Sequence, residues 1–213
     1  MLATLATIDV GTNSVLMQVT KLSTSGALRV VDDFMTITRL GQGVDRTRRL
    51  HDDAVARTLD ALREYAEKAR SHGASILGVG TSALRDAHNG ADFLAAARDV
   101  LGVPLEVISG EREALLTFLG ATQGLSHDAE RLCVVDVGGG STEIVVGTQS
   151  EVLASTSLDI GAVRLFERHG LTAPATRAQL QAIEDDVARA LDASTVLPCA
   201  PLVAIAGTAT TLD

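Results

Sequence analysis

The sequence predicts an α/β protein built from two similar domains, and three observations carry that prediction. First, an apolar run ending in an aspartate and a glycine-rich, hydroxyl-bearing turn occurs twice, as Asp9-Val10-Gly11-Thr12-Asn13-Ser14 and as Asp136-Val137-Gly138-Gly139-Gly140-Ser141. Second, around each copy the apolar pattern alternates between short strand-like runs and helix-like periods, as expected of sheets with helices packed on them. Third, the 213 residues are 46% hydrophobic yet hold no Trp, one Tyr and four Phe, so the core has to be built from Leu, Val, Ile and Ala. The repeat implies two domains facing one cleft. With the boundary in the stretch 120–131, they are expected at residues 1–122 and 123–213.

The elements follow in order. Residues 5–10 read as a strand, 11–14 as a tight polar turn, and 15–22 and 28–37 as further strands. The stretch 39–49 is loop-like, with Gly41, Gly43 and the arginines 39, 46, 48 and 49. Val55, Leu59, Leu62 and Ala66 then keep a helical period, predicting a helix over 52–71 that Asp52 or Asp53 caps and Gly73 stops. A strand is predicted at 75–80, a helix at 90–101 closed by Gly102, and a strand at 105–108. Ser109 can cap a helix running to about residue 121, with Glu111 and Glu113 complementing its dipole.

From residue 132 the pattern starts again, with strands at 132–137, 143–146 and 152–158. Helices at 163–169 and 177–191 follow, broken at Pro174, and then a strand at 202–206. A third glycine-hydroxyl turn, Gly207-Thr208-Ala209-Thr210-Thr211, ends almost at Asp213. A domain rarely stops there, so the second domain is expected to be incomplete at its C-terminus.

Composition narrows the function classes. Lys and Arg total 18 against 27 Asp and Glu, a formal charge of −9. That excludes a general nucleic-acid or anionic-membrane surface, both of which need a basic face. It leaves open an anionic small substrate, because focused arginines and bound cations invert the local field. Cys133 and Cys199 sit in apolar surroundings outside any CxxC, as expected of core thiols in a reducing compartment. The N-terminus lacks a basic leader, and no window approaches the roughly 20 apolar residues that span a bilayer. A cytoplasmic protein is expected.

The candidate chemistry lies at the strand ends. Glycine lets the backbone approach a ligand closely, and its amides with neighbouring hydroxyls can cradle phosphate oxygens. The candidates are Gly11, Thr12, Asn13 and Ser14, then Gly138, Gly139, Gly140, Ser141 and Thr142, then Gly207 and Thr208. No GxxxxGK[ST] is present, and the second turn lacks the GxGxxG spacing. An aspartate beside such a turn repels phosphate unless a cation lies between them, so Asp9 and Asp136, with Glu143 nearby, are candidate Mg²⁺ ligands. Asp9 can instead bond its own turn amides. Arg85 offers a fork suited to phosphate, with pairing to Asp86 as the alternative. Arg39 and the rest of its basic loop can guide a polyanion or be merely solvated. Glu113 on a first helical turn is the candidate acid or base for hydrolysis, and Glu111 is its rival. The scattered His51, His72, His88, His127 and His169 have no metal-ligand spacing.

The motifs together resemble a known family. They are Ile8-Asp9-Val10-Gly11-Thr12-Asn13-Ser14, Thr38-Arg39-Leu40-Gly41-Gln42-Gly43-Val44, Thr81-Ser82-Ala83-Leu84-Arg85-Asp86-Ala87 and Ile108-Ser109-Gly110-Glu111-Arg112-Glu113-Ala114. Later come Val135-Asp136-Val137-Gly138-Gly139-Gly140-Ser141-Thr142-Glu143, Leu158-Asp159-Ile160-Gly161-Ala162-Val163-Arg164-Leu165 and Gly207-Thr208-Ala209-Thr210-Thr211-Leu212. In this combination the chain resembles the exopolyphosphatase and guanosine-pentaphosphate phosphatase family, within the actin/sugar-kinase/Hsp70 superfamily.

The resemblance implies two ribonuclease H-like (actin-like ATPase) domains and an Mg²⁺-dependent phosphoanhydride hydrolase. It implies processive release of terminal orthophosphate from inorganic polyphosphate, or conversion of guanosine pentaphosphate to the tetraphosphate. By analogy Glu113 activates water and Arg85 grips a phosphate. Asp136 and Glu143 position Mg²⁺, with Asp9 near it. Residues 138–142 hold phosphate, and the turn from Asp9 to Ser14 cradles it from the other domain. A homodimer is a candidate assembly. One departure stands out: where the family carries two adjacent glutamates before the alanine, Arg112 replaces the first. A sugar or acetate kinase, an Hsp70-type ATPase and a non-catalytic phosphate or nucleotide sensor are the competing functions on the same fold.

Overall fold

The structure, a computed structural model, describes residues 3–123, 125, 130–148, 151–196, 198 and 201–211. Cys199, His127 and Leu212 lie outside the described residues. The chain divides into two compact units, Met1–Ile108 and Ser109–Asp213.

In the first unit the chain runs β1 (Ala3–Val10), β2 (Ser14–Leu22), β3 (Leu28–Ile37), α1 (Val44–Thr47) and α2 (Asp52–Ser71). It continues through β4 (Ser75–Gly80), α3 (Ser82–Asp86), α4 (Gly90–Leu101) and β5 (Leu105–Val107). The sheet order is β3-β2-β1-β4-β5. β2 is antiparallel to β1 and β3, while β4 runs parallel to β1 and β5. Alternation decides which face is buried. Ala6, Ile8, Val10, Val15, Met17 and Val19 point into one core, closed by Leu62 and Tyr65 of α2 and Phe93 of α4. Tyr65 satisfies its hydroxyl inside that core, 2.9 Å from Thr36 Oγ1, and burial pushes its phenol pKa up. The cap of α2 differs from expectation. His51 occupies the cap position without a side-chain bond, and Asp52 and Asp53 fall in the first turn, where they still complement the dipole.

The second unit comprises α5 (Gly110–Thr122), β6 (Leu132–Val137), β7 (Thr142–Gly147), β8 (Val152–Leu158), α6 (Ala162–Arg168), α7 (Arg177–Asp192), β9 (Leu202–Ile205) and α8 (Ala206–Thr210). Its sheet order is β8-β7-β6-β9, with β7 antiparallel to β6 and β8, and β9 parallel to β6. This repeats the order and directions of β3-β2-β1-β4, so the duplicated motif corresponds to a duplicated topology. The repeat extends to the short helices α3 and α8, each following its parallel strand. Gly207 and Thr208 therefore lie in a helix rather than in an open glycine turn.

The expected boundary at 122/123 assigned residues 110–122 to the first domain. The packing assigns them to the second, because α5 covers β6, β7 and β8. Ala114 and Phe118 of α5 press on Leu132, Val134 and Val145. Gly147 admits the Phe118 ring, since a Cβ there would sit 2.5 Å from the ring's Cζ. The opposite sheet face buries Cys133, Ile144 and Val196, so Cys133 is a core thiol as expected. Beyond that face, Asp186 of α7 takes Arg168 at 2.9 Å, His169 at 3.0 Å and Arg189 at 2.6 Å. The Arg168 hydrogen bond leads in holding the Asp186 carboxyl at about 2.

Strand register sets comparable rows across the two sheets. In the first, Met35, Leu16, Asp9 and Val79 stand side by side. In the second, Ser157, Glu143, Asp136 and Ile205 do so.

Candidate functional site

In the second unit the polar row is covered by a helix. Asp136 and Glu143 are two residues from Val134 and Val145 on their strands, so they share the face under α5. Glu113 lies on the first turns of α5. Ser109 fixes the start of that helix by accepting the Arg112 amide at 3.2 Å, as the sequence predicts. Thr117, one turn further along the same face, hydrogen-bonds the Asp136 carboxyl. Ser157 donates its hydroxyl to Glu143 Oε1 at 2.7 Å, and Ser141 is a second partner of Glu143. Gly110 admits this arrangement: a Cβ on it would lie 2.5 Å from Ser157 Cβ.

Burial dominates the electrostatics of this group. It pushes Asp136 up to about 6, with the Glu113 charge adding to it and Thr117 opposing. It pushes Glu143, only 1% exposed, up to about 7. The Glu113 charge adds most to that after burial, and Ser157 and Ser141 oppose it. Asp136 and Glu143, withdrawn from water beside the Glu113 charge, both favour a cation or a proton. Among the described residues no three His, Cys, Asp or Glu are arranged to hold a metal by themselves. The cross-strand pair Asp136 and Glu143 instead offers two hard oxygen ligands, the number with which Mg²⁺ is often held beside substrate phosphates and water. Asp9, the third predicted ligand, stands in the other unit between Leu16 and Val79.

Both glycine turns are closed by the same bond. The Gly11 amide donates to the Ser14 carbonyl and the Gly138 amide to the Ser141 carbonyl, each at 3.0 Å. A segment behind each turn captures its carbonyls. In the first unit, Thr12 O accepts the Gly41 amide at 2.9 Å, and Asn13 O accepts those of Thr38 and Arg39 at 3.0 and 2.9 Å. In the second, Gly138 O accepts the Ala162 amide at 2.9 Å, and Gly139 O accepts those of Val163 and Arg164 at 2.9 and 3.0 Å. Gly140 O accepts Arg164 Nε at 2.6 Å. In a planar trans peptide the N–H points opposite to its C=O. Carbonyls held from behind therefore turn the amides of Gly139, Gly140 and Ser141 forward, as they do those of Asn13 and Ser14. Several forward amides in succession make an anion cradle.

The structure thus ties Arg39 to the first turn, with its own backbone in the left-handed region at φ 52°. Arg85 lies on α3 and donates from Nη1 to Ile108 O at 3.0 Å, while Asp86 pairs with Arg48 at 3.4 Å. Thr208 spends its hydroxyl on Val137 O at 2.9 Å, and Thr142 on Ile160 O at 2.6 Å, so both brace strand ends. Glu113, Asp136 and Glu143 come together in one unit. The turn from Gly11 to Ser14, Arg39 and Arg85 belong to the other.

Three residues escaped the sequence reading of roles. Thr117 was within reach, four positions after Glu113 on one helix face. Ser157 needed the β7–β8 register, and Arg164 needed the packing of α6 on the glycine turn.

Comparison with known proteins agrees with this architecture. Residues 19–210 match the Ppx/GppA phosphatase family. The chain is 42% identical to Exopolyphosphatase 2 of Mycobacterium tuberculosis, covering 100% of this chain and 70% of that protein. It is 39% identical to the guanosine-5'-triphosphate,3'-diphosphate pyrophosphatase of Vibrio cholerae, covering 77% of this chain and 33% of that one. Among solved structures, an exopolyphosphatase-like protein superposes with a TM-score of 0.91 at 35% identity, covering 99% of this chain and 68% of the other. The Aquifex aeolicus PPX-GPPA enzyme gives 0.79 at 32% identity, covering 100% and 70%. With the family match spanning most of the sequence and both units matched in those structures, the chain belongs to the Ppx/GppA phosphatase family, on the actin/sugar-kinase/Hsp70 superfamily fold.

Proposed function

We propose that the protein is a cytoplasmic Mg²⁺-dependent exopolyphosphatase that releases terminal orthophosphate from inorganic polyphosphate. The observation that carries this reading is the group of half-buried Glu113 and Asp136 with buried Glu143, beside a glycine turn whose amides are turned forward. The forward amides of residues 139–141 would bind the oxygens of the terminal phosphate. In the first unit, the amides of Asn13 and Ser14, with Arg39 and Arg85, are by themselves a second candidate phosphate-binding group. Asp136 and Glu143 would hold Mg²⁺, which when bound neutralises phosphate charge. Glu113 orients a water and takes its proton as the water oxygen bonds to the terminal phosphorus. The phosphoanhydride P–O bond breaks, and the shortened chain departs with that oxygen as an anion.

Guanosine pentaphosphate is the second substrate reading, favoured by the 39% identity to the Vibrio cholerae protein. The test is orthophosphate release by the full-length protein from long-chain polyphosphate and from guanosine pentaphosphate, with and without Mg²⁺. Mg²⁺-dependent release from polyphosphate in preference supports the first reading, and the reverse preference supports the second. Retained binding with no release from either makes it a sensor, the role to which the exchange at Arg112 would then point.

A further inference from the structure

Arg164 is the feature of the second unit that the hydrolytic reading leaves unused. Its side chain is 6% exposed, which is unusual for an arginine, and burying a guanidinium is costly unless something is gained. Its Nε donates to the carbonyl of Gly140 at 2.6 Å. The Asp159 carboxylate lies 3.8 Å from Nη2 and is itself 82% exposed, so it screens the buried charge weakly. The same residue's backbone amide holds Gly139 O at 3.0 Å. Arg164 therefore grips two successive peptides of the glycine turn, one by main chain and one by side chain.

The approach that allows this grip is close. A Cβ on Gly161 would lie 2.6 Å from Gly139 C and O and 2.7 Å from Gly140 C. Only a glycine lets the start of α6 reach the turn. A neutral donor could satisfy the Gly140 carbonyl; the guanidinium brings a positive charge to that place as well. It lies directly behind amides that face forward, in a unit where Glu113, Asp136 and Glu143 would otherwise repel an incoming anion.

We propose that Arg164 is a positioning residue for phosphate. It locks the peptide carrying the Ser141 amide into its forward orientation and places a fixed positive charge behind the cradle, without touching the ligand. This rests on the hydrolytic reading for its kinetic consequence but not for its binding consequence. Because the cradle holds phosphate both before and during the reaction, weakening it raises KM and leaves kcat largely intact.

The test uses the full-length protein and two readouts, calorimetric binding of inorganic tripolyphosphate and steady-state orthophosphate release. Arg164→Met keeps the stem packing and removes the head; it should weaken tripolyphosphate binding and raise KM about tenfold, as expected for loss of a charge-assisted hydrogen bond, with kcat within about twofold. Arg164→Lys, which restores charge without the Nε contact, should recover part of the binding, and Arg164→Gln should recover none. Unchanged binding in R164M, or a fall in kcat at constant KM, overturns the proposal. If R164M does not melt cooperatively, Gly161→Ala decides. It pushes α6 off the turn with Arg164 intact and should raise KM in the same way; unaltered binding in G161A overturns the proposal. A wild-type protein that binds tripolyphosphate and releases no orthophosphate refutes the hydrolase reading, while the binding comparison still judges Arg164.

Discussion

The carboxylate group under α5 should make the second unit less stable as pH rises, and Glu143→Gln should relieve this. Glu143 is raised from 4.5 to about 7 in the fold, chiefly by burial. A carboxyl with a raised folded pKa destabilises nothing when protonated in both states. As pH passes 4.5 the unfolded chain ionises and is stabilised while the folded one does not follow until about 7. The loss therefore develops between pH 4.5 and 7 and is constant above. At 1.36 kcal/mol per pKa unit it reaches about 3 kcal/mol. Glutamine keeps an acceptor for the Ser157 hydroxyl and carries no charge, so E143Q should match the wild type near pH 4 and exceed it by about 2–3 kcal/mol above pH 7. Urea unfolding followed by circular dichroism from pH 4 to 8.5 measures this, and Phe118→Ala identifies the transition of the second unit. A difference between wild type and E143Q that does not vary with pH refutes the reasoning. Saturating Mg²⁺ should shrink the gap above pH 7 if Asp136 and Glu143 hold the cation, and an unchanged gap removes the pair from that role.

Glu113→Gln should retain tripolyphosphate binding and lower kcat by on the order of 10²-fold or more, the usual contribution of a general base. Turnover at the wild-type rate would transfer the role to Glu111. Arg85→Ala should lower kcat/KM by about tenfold through loss of a charge-assisted phosphate contact, measured in the same release assay, and an unaltered value removes Arg85 from the site. Phe118→Ala empties the ring volume between Gly147 and the β6–β7 core and should cost about 3–5 kcal/mol of second-unit stability in urea. Asp186→Asn should lower the melting temperature at pH 7. Because the Asp186 carboxyl is held at about 2 against 3.8, its contribution is present above 3.8 and lost as pH falls through 2, so mutant and wild type should converge near pH 2.

Much of this was legible in the sequence because the governing signals are local. Hydrophobic alternation located the strands, and β8 and α4 fall at their expected limits. The duplicated turn announced a duplicated sheet. The differences arise where tertiary packing overrides local cues. A break expected at residues 120–131 lies before α5 instead, because the apolar face of that helix fits the second sheet. The Gly207-Thr208 stretch carries turn-forming residues but closes into α8, with Thr208 bonded back to Val137. At the site, Glu113, Asp136 and Glu143 could be selected by residue type and motif, yet their mutual influence depends on α5 covering the row. Arg164 lay within a quoted motif, but nothing local assigned it a contact, since that contact comes from the approach of α6 to peptides more than twenty residues earlier in the chain.

The two transverse rows show where the chemistry of a duplicated scaffold resides. Asp9 and Asp136 occupy equivalent strands, and position 16 faces Asp9 as Glu143 faces Asp136. In the first unit two members of that row face water, Leu16 at 43% and Met35 at 67% exposed, while Asp9 is half-buried. In the second the row lies beneath a helix. A glutamate at position 16 would reproduce the pairing, but with its own carboxylate largely in water, where charges interact weakly. The two copies differ less by their strands than by the helix that covers one of them. One strand plan thus carries an apolar row in one unit and, in the other, an acidic row under a helix, where burial raises both carboxyls.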